Sequence, residues 1–129
     1  MPGPFTHTKL LDVKDSAVEF GYGEIQEARF ARGDLDAEET GVSHQRLKPD
    51  QRSPFGHKHE SAEEVYVVIS GSGRMKLDAE IIEVETLDAI RVSPEVTRAF
   101  EAGPDGLEVL AVGARHDGDG EIFPGWWSD

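Results

Sequence analysis

The chain contains no cysteine and no asparagine. Without cysteine, disulfides, thiolate zinc sites and thiol catalysis are excluded together. Without asparagine there is no N-glycosylation sequon. Positive charge is also scarce: 13 Lys plus Arg stand against 26 Asp plus Glu, for a net charge of −13 at pH 7. Such a field repels phosphate backbones and anionic lipid surfaces, so no nucleic-acid partner is expected. No apolar run is long enough to span a bilayer, and the start Met1-Pro-Gly-Pro-Phe-Thr-His lacks the basic stretch and apolar run of a secretory signal. The expectation is a cytoplasmic protein with no membrane partner. At 129 residues the chain has room for one core, hence one domain over 1–129.

What is present reads as β-structure. The first forty residues are mixed, with a strand expected at Glu24 to Phe30 and an acidic turn or short helix through Asp34, Asp36, Glu38 and Glu39. From Gly41 onward, short β-branched and aromatic runs are separated every eight to twelve residues by Gly, Pro, Asp or Ser. Strands are expected at Val42 to Leu47, Glu64 to Ser70, Arg74 to Leu77, Ile81 to Thr86, Ala89 to Val92, Val96 to Glu101 and Leu107 to Val112. Gly71-Ser-Gly73, Asp78-Ala-Glu80, Ser93-Pro94 and Gly103-Pro-Asp-Gly106 read as the turns between them. About eight short strands without intervening helix patterns predict an antiparallel barrel or jelly roll, closed so that no edge is exposed. The division expected is an N-terminal extension over 1–40, a barrel over 41–113 and a tail over 114–129. The aromatic tail Phe123-Pro-Gly-Trp-Trp127 predicts that Trp126 or Trp127 packs on the barrel or on a second subunit.

Site chemistry concentrates in one place. Residues two apart on a strand face the same way, so His57 and His59 present two imidazoles on one face with Lys58 on the other. Glu64 opens the following strand and reaches the same spot if the two strands pair through a short loop at Glu60 to Glu63. Two His and one carboxylate suit iron, manganese, nickel, zinc or copper and leave positions for water or substrate. Tyr66 and Val68 share the face of Glu64. His44 is read as a core residue, and His7 and His116 as surface residues. Asp117-Gly-Asp-Gly-Glu121 resembles part of a calcium loop but lacks its terminal ligand, and reads as a surface turn. No catalytic nucleophile is assigned.

The stretch His57-Lys-His59-Glu-Ser-Ala-Glu-Glu64-Val-Tyr-Val-Val-Ile-Ser-Gly71 resembles the first motif of the cupin superfamily, His-x-His, four residues, Glu, six residues, Gly. Where that family has a glycine six positions ahead of the first His, this chain has Gln51. The segment Leu87 to Ala102 lies in frame with the second cupin motif but keeps almost none of its named residues. The resemblance implies an all-β double-stranded β-helix, the cupin jelly-roll barrel, with at most one short helix in the N-terminal half and commonly a homodimer. It also implies a small-molecule pocket with a divalent metal on His57, His59 and Glu64.

Arg98 stands where the family carries its last metal ligand, a histidine. Arginine keeps its proton and cannot ligate a cation. Alternation places Arg98 on the inward face with Val96 and Phe100, and a buried guanidinium calls for a carboxylate, with Glu64 or Glu63 or a bound anion as partners. A unit charge ~5 Å away at an effective dielectric of ~20 repels another by about 3 kcal/mol. Two readings follow. In one, the metal is retained and Arg98 orients an anionic substrate beside it. In the other, Arg98 pairs with Glu64 or an anionic ligand, and the domain is a metal-free binding or sensing module in which Arg98 and Tyr66 recognise a small-molecule ligand such as a carboxylic acid. A third reading makes the domain a structural dimer held by Trp126 and Trp127.

Overall fold

The computed structural model describes residues 3–114 and 119–128. Eight strands follow one another: β1 Gln26–Phe30, β2 Thr40–Leu47, β3 Phe55–His59, β4 Glu64–Leu77, β5 Glu80–Glu85, β6 Ala89–Val92, β7 Arg98–Ala114 and β8 Gly120–Pro124. All pairings are antiparallel. Among the described residues, helical structure is confined to a 3-10 turn at Leu10–Asp12 and a short helix α1 at Ser16–Glu19. Asp15 caps α1 by accepting from Ala17 N–H and also accepts from Ala28 N–H, which ties the helix to β1. The acidic stretch from Asp34 to Glu39 forms turns and bends, not a helix.

Two expected turns are instead bends within long strands. β4 runs through Gly71 and Gly73, and β7 through Gly103 and Gly106, and the two strands bend side by side. The register between them shifts at Val68/Ser70 and again at Gly71/Gly73, the mark of β-bulges. Gly71 and Gly106 both have positive φ, and a Cβ on Gly71 would lie 2.1 Å from the Gly106 carbonyl oxygen. Glycine here permits backbone-on-backbone contact, a role that a hairpin signal imitates in sequence.

The bends divide the sheet into two facing halves. One half carries β1, β2, the end of β7, the start of β4, and β6; the other carries β8, β3, the start of β7, the end of β4, and β5. Their inner residues share one core, including Tyr66, Val68 and Val109 from the first half and Met75, Val84 and Phe100 from the second. The rings of Tyr66 and Phe100 meet edge-on at 5.3 Å between centroids. This is the double-stranded β-helix.

The tail closes on its own barrel. Trp127 is buried beneath the guanidinium groups of Arg52 and Arg74, which both bond Glu101. Trp126 lies against Gly56 of β3, where a Cβ would fall 2.5 Å from its ring. Of the two packing sites expected for the tryptophans, the structure shows the barrel of the same chain.

Candidate metal centre

β3 presents the imidazoles of His57 and His59 on its inner face, their ring centroids 5.2 Å apart and the planes almost perpendicular. Glu64 is the first residue of β4, and one donor atom from each of the three residues lies within 4.8 Å of the others. The route by which Glu64 arrives differs from the sequence expectation. β3 and β4 are not hydrogen-bonded neighbours: β3 pairs with β7 and β8, β4 with β5, β6 and β7. Glu64 therefore reaches the two histidines across the interior. Space for it comes from Gly113, its register partner on β7, where a Cβ would press to 3.2 Å from Glu64 Cγ. A glycine inside the strand-forming run Val109 to Gly113 is the sequence signal of such an approach.

Glu64 Oε1 is the hub. It accepts the Tyr66 hydroxyl proton at 2.6 Å and lies 3.5 Å from His57 Nε2 and 3.2 Å from His59 Nε2. Burial by itself would raise the Glu64 carboxyl, but the interactions with His57, His59 and Tyr66 outweigh it and hold the group far below the usual carboxylate range. Burial, followed by the charge of Glu64, pushes the Tyr66 hydroxyl well above its ordinary value, so it stays protonated and donating.

His59 has a second carboxylate, which the sequence reading did not assign to it. Asp119 Oδ1 lies 2.8 Å from His59 Nδ1, and the same side chain accepts the backbone N–H groups of Glu60, Ser61 and Ala62. Burial opposes ionisation of Asp119, yet these bonds lower its pKa to about 2. His59 itself is raised above 6.5, chiefly by Glu64, with burial opposing and Asp119 adding. His59 Nε2 is buried and, among the described residues, has no hydrogen-bond partner. This orphaned atom, close to a carboxylate oxygen and flanked by a second imidazole, is what a cation site requires, so the residues present fit a metal.

Arg98 is inward and fully covered, at 0% exposure. Its guanidinium does not take Glu64 or Glu63: Nη2 donates to Ser93 O at 3.1 Å and Nη1 reaches His57 O at 3.5 Å, while Glu63 pairs with Arg91. Among the described residues no ion pair joins Arg98 to a carboxylate. Main-chain carbonyls replace the expected acid because β3 and the turn at Ser93 supply them on either side. Completely covered, the guanidinium in this conformation acts on the site through its charge and through the backbone of β3.

The three candidate ligands stand in the wall of a cavity of about 540 Å³, a size suited to a small molecule. Phe30, Phe100, Val42 and Ile122 supply apolar surface, and Ser43 and Gln45 polar groups. His44, between the last two, faces the opposite side of β2, where it is buried with Nε2 against Glu108, outside both the cavity and the hydrophobic core in which it was expected. His7 is exposed. His116 and the start of the Asp117–Glu121 segment lie outside the described residues, and Asp119 spends its carboxylate on His59 and the 60–62 loop.

No family model matches the chain. Forty-five residues are 40% identical to an uncharacterized protein of Methanocaldococcus jannaschii; the match covers 35% of this chain and 36% of that protein, about a third of its length. A cupin protein from Bacteroides fragilis superposes with a TM-score of 0.72 at 21% identity, over 91% of this chain and 89% of that one. The polyketide cyclase RemF from Streptomyces resistomycificus superposes with a TM-score of 0.75 at 20% identity, over 96% and 87%. Oxalate decarboxylase from Bacillus subtilis gives 0.66 at 22% identity, over 75% of this chain and 28% of its own. At these identities the likeness is one of fold.

Proposed function

We propose, for a chain that has the double-stranded β-helix fold of the cupins, that the barrel cavity is a small-molecule site built on a divalent transition metal held by His57, His59 and Glu64. The observation that carries this reading is His59 Nε2, buried without a hydrogen bond 3.2 Å from Glu64 Oε1. In the imidazole protonated on Nδ1 alone, a lone pair and a carboxylate oxygen face each other at that distance, a repulsion that either a proton on Nε2 or a cation between the two relieves. A bound ion would supply a Lewis acid able to polarise a carbonyl or carboxylate and lower the pKa of bound water. The chain's own residues do the rest. Tyr66 holds Glu64 by its hydroxyl. The apolar wall excludes water from one side of a ligand, and Ser43 and Gln45 offer polar contacts on the other. Arg98 adds fixed positive charge near a ligand carboxylate.

The test is elemental mass spectrometry and calorimetric titration on untagged protein with iron, manganese, nickel, zinc and copper. About one equivalent per chain, abolished in His57→Ala and His59→Ala, is the expected result. No uptake of any of the five would overturn the reading and favour a metal-free binding module.

A further inference from the structure

We propose that Asp119 is a positioning residue for this centre: its carboxylate fixes His59 in the tautomer protonated on Nδ1, so that Nε2 turns its lone pair toward His57 and Glu64. The inference rests on the metal reading for its purpose, but its geometry stands on the chain alone. Asp119 Oδ2 accepts the N–H groups of Ser61 and Ala62, both at 2.8 Å, and Oδ1 accepts the N–H of Glu60 at 3.2 Å. A carboxylate that accepts three N–H donors is ionised and has no proton to give. The fourth contact, 2.8 Å to His59 Nδ1, is therefore donated by the imidazole. The Asp119 side chain is only 6% exposed, which limits competition from water.

The placement is tied at both ends. Asp119 directly precedes β8, whose Gly120 lies opposite His59 in the β3–β8 register, and Glu60 N–H donates to the Asp119 carbonyl at 3.0 Å. The imidazole is thus held by ladder geometry as well as by its own hydrogen bond. Among the described residues no carboxylate bonds Nδ1 of His57, whose polar side-chain contacts are through Nε2, to Tyr66 and Glu64. One of the two imidazoles is oriented from outside the cavity and the other from within it.

The same carboxylate braces the link from His59 to Glu64, so a loss of stability in a variant would not by itself establish positioning. Asp119→Asn separates the two roles. Ser61 and Ala62 offer two N–H donors and will take the amide oxygen, which turns the amide NH₂ toward His59 Nδ1. A donor at that point demands an acceptor, so the variant is expected to invert His59 to the Nε2–H tautomer and cover the ligand atom with a proton.

Nitrogen-15 NMR of the imidazoles in metal-free protein at alkaline pH reads this directly. The expected result is Nδ1–H for His59 in the native chain, Nε2–H in Asp119→Asn, and an unchanged His57. Zinc or nickel titration of the same variant is expected to show affinity lower by about 10- to 100-fold. If Asp119→Asn proves unfolded by circular dichroism, the native-chain tautomer alone decides. An Nε2–H tautomer for His59 in the native chain, or a folded Asp119→Asn with native tautomer and native metal affinity, overturns the proposal. A native chain that takes up no ion yet shows the tautomer inversion would overturn the metal reading and uphold the orienting role of Asp119.

Discussion

At the scale of single residues, the proposed centre would set a proton and a metal in competition for one nitrogen. His59 is raised above 6.5 because Glu64, and to a lesser extent Asp119, stabilise its charged form against burial. A group raised in the folded state contributes stability that is complete below its unfolded value and is lost as pH climbs through the folded one. A metal bound at Nε2 would have to expel that proton. Apparent metal affinity should therefore rise by up to about tenfold per pH unit from pH 6 upward and level off once the folded value is passed. Calorimetric zinc titrations at pH 6, 7 and 8 check this; affinity independent of pH would mean that the ion binds without His59. The sequence disclosed His57, His59 and Glu64 because strand parity and a local spacing encode them. It could not disclose Asp119, whose partner His59 is 60 positions away and whose neighbourhood reads as a surface turn. Arg98 was legible as inward-facing, but its acceptors were not. They are the main-chain carbonyls of Ser93 and His57, which every residue type carries alike.

At the scale of elements, β3 is the strand to watch. It carries both imidazoles, yet its register with the long strand β7 is a single pair, His57 with Arg98, whereas β8 matches it from Phe55 to His59. Trp126 then lies on Gly56 from outside. Gly56→Val would drive a side chain into the indole, an overpacking that typically costs about 1–3 kcal/mol. The expected outcome is a stability loss of that size in urea unfolding together with weakened metal uptake. Gly33→Ala, which meets nothing within 4 Å, should be close to native in both. Equal effects from the two substitutions would remove β8 and the tail as the support of the site. Strand existence was readable from alternation except at β8, whose residues read as a surface turn and a tail, and the turn at Asp78 appears where expected. Continuity through Gly71 to Gly73 and Gly103 to Gly106 was not, because the same residues serve a hairpin turn and a paired bend.

At the scale of the whole molecule, a net charge of −13 is held together by a few carboxylates placed where the fold needs their charge. Glu64, Glu101, Glu108 and Asp119 are all lowered despite burial, Glu101 by Arg52 and Arg74 and Glu108 by His44 and Arg46. A depressed group contributes stability that is present above its unfolded value and lost as pH falls through the folded one. From unfolded values of 4.5 and 3.8, thermal midpoints should fall steeply below about pH 4. A midpoint unchanged between pH 5 and pH 3 would contradict this. The pairing of β3 with β8 also sets a schedule. During synthesis the two histidines emerge well before the segment that orients and shields them. At about 5–20 residues per second, the 60 positions from His59 to Asp119 take about 3–12 s. For that interval the nascent chain offers two unsheltered imidazoles to any ion in its surroundings. For the proposed centre, selection among metals would wait until β8 has brought Asp119 to His59.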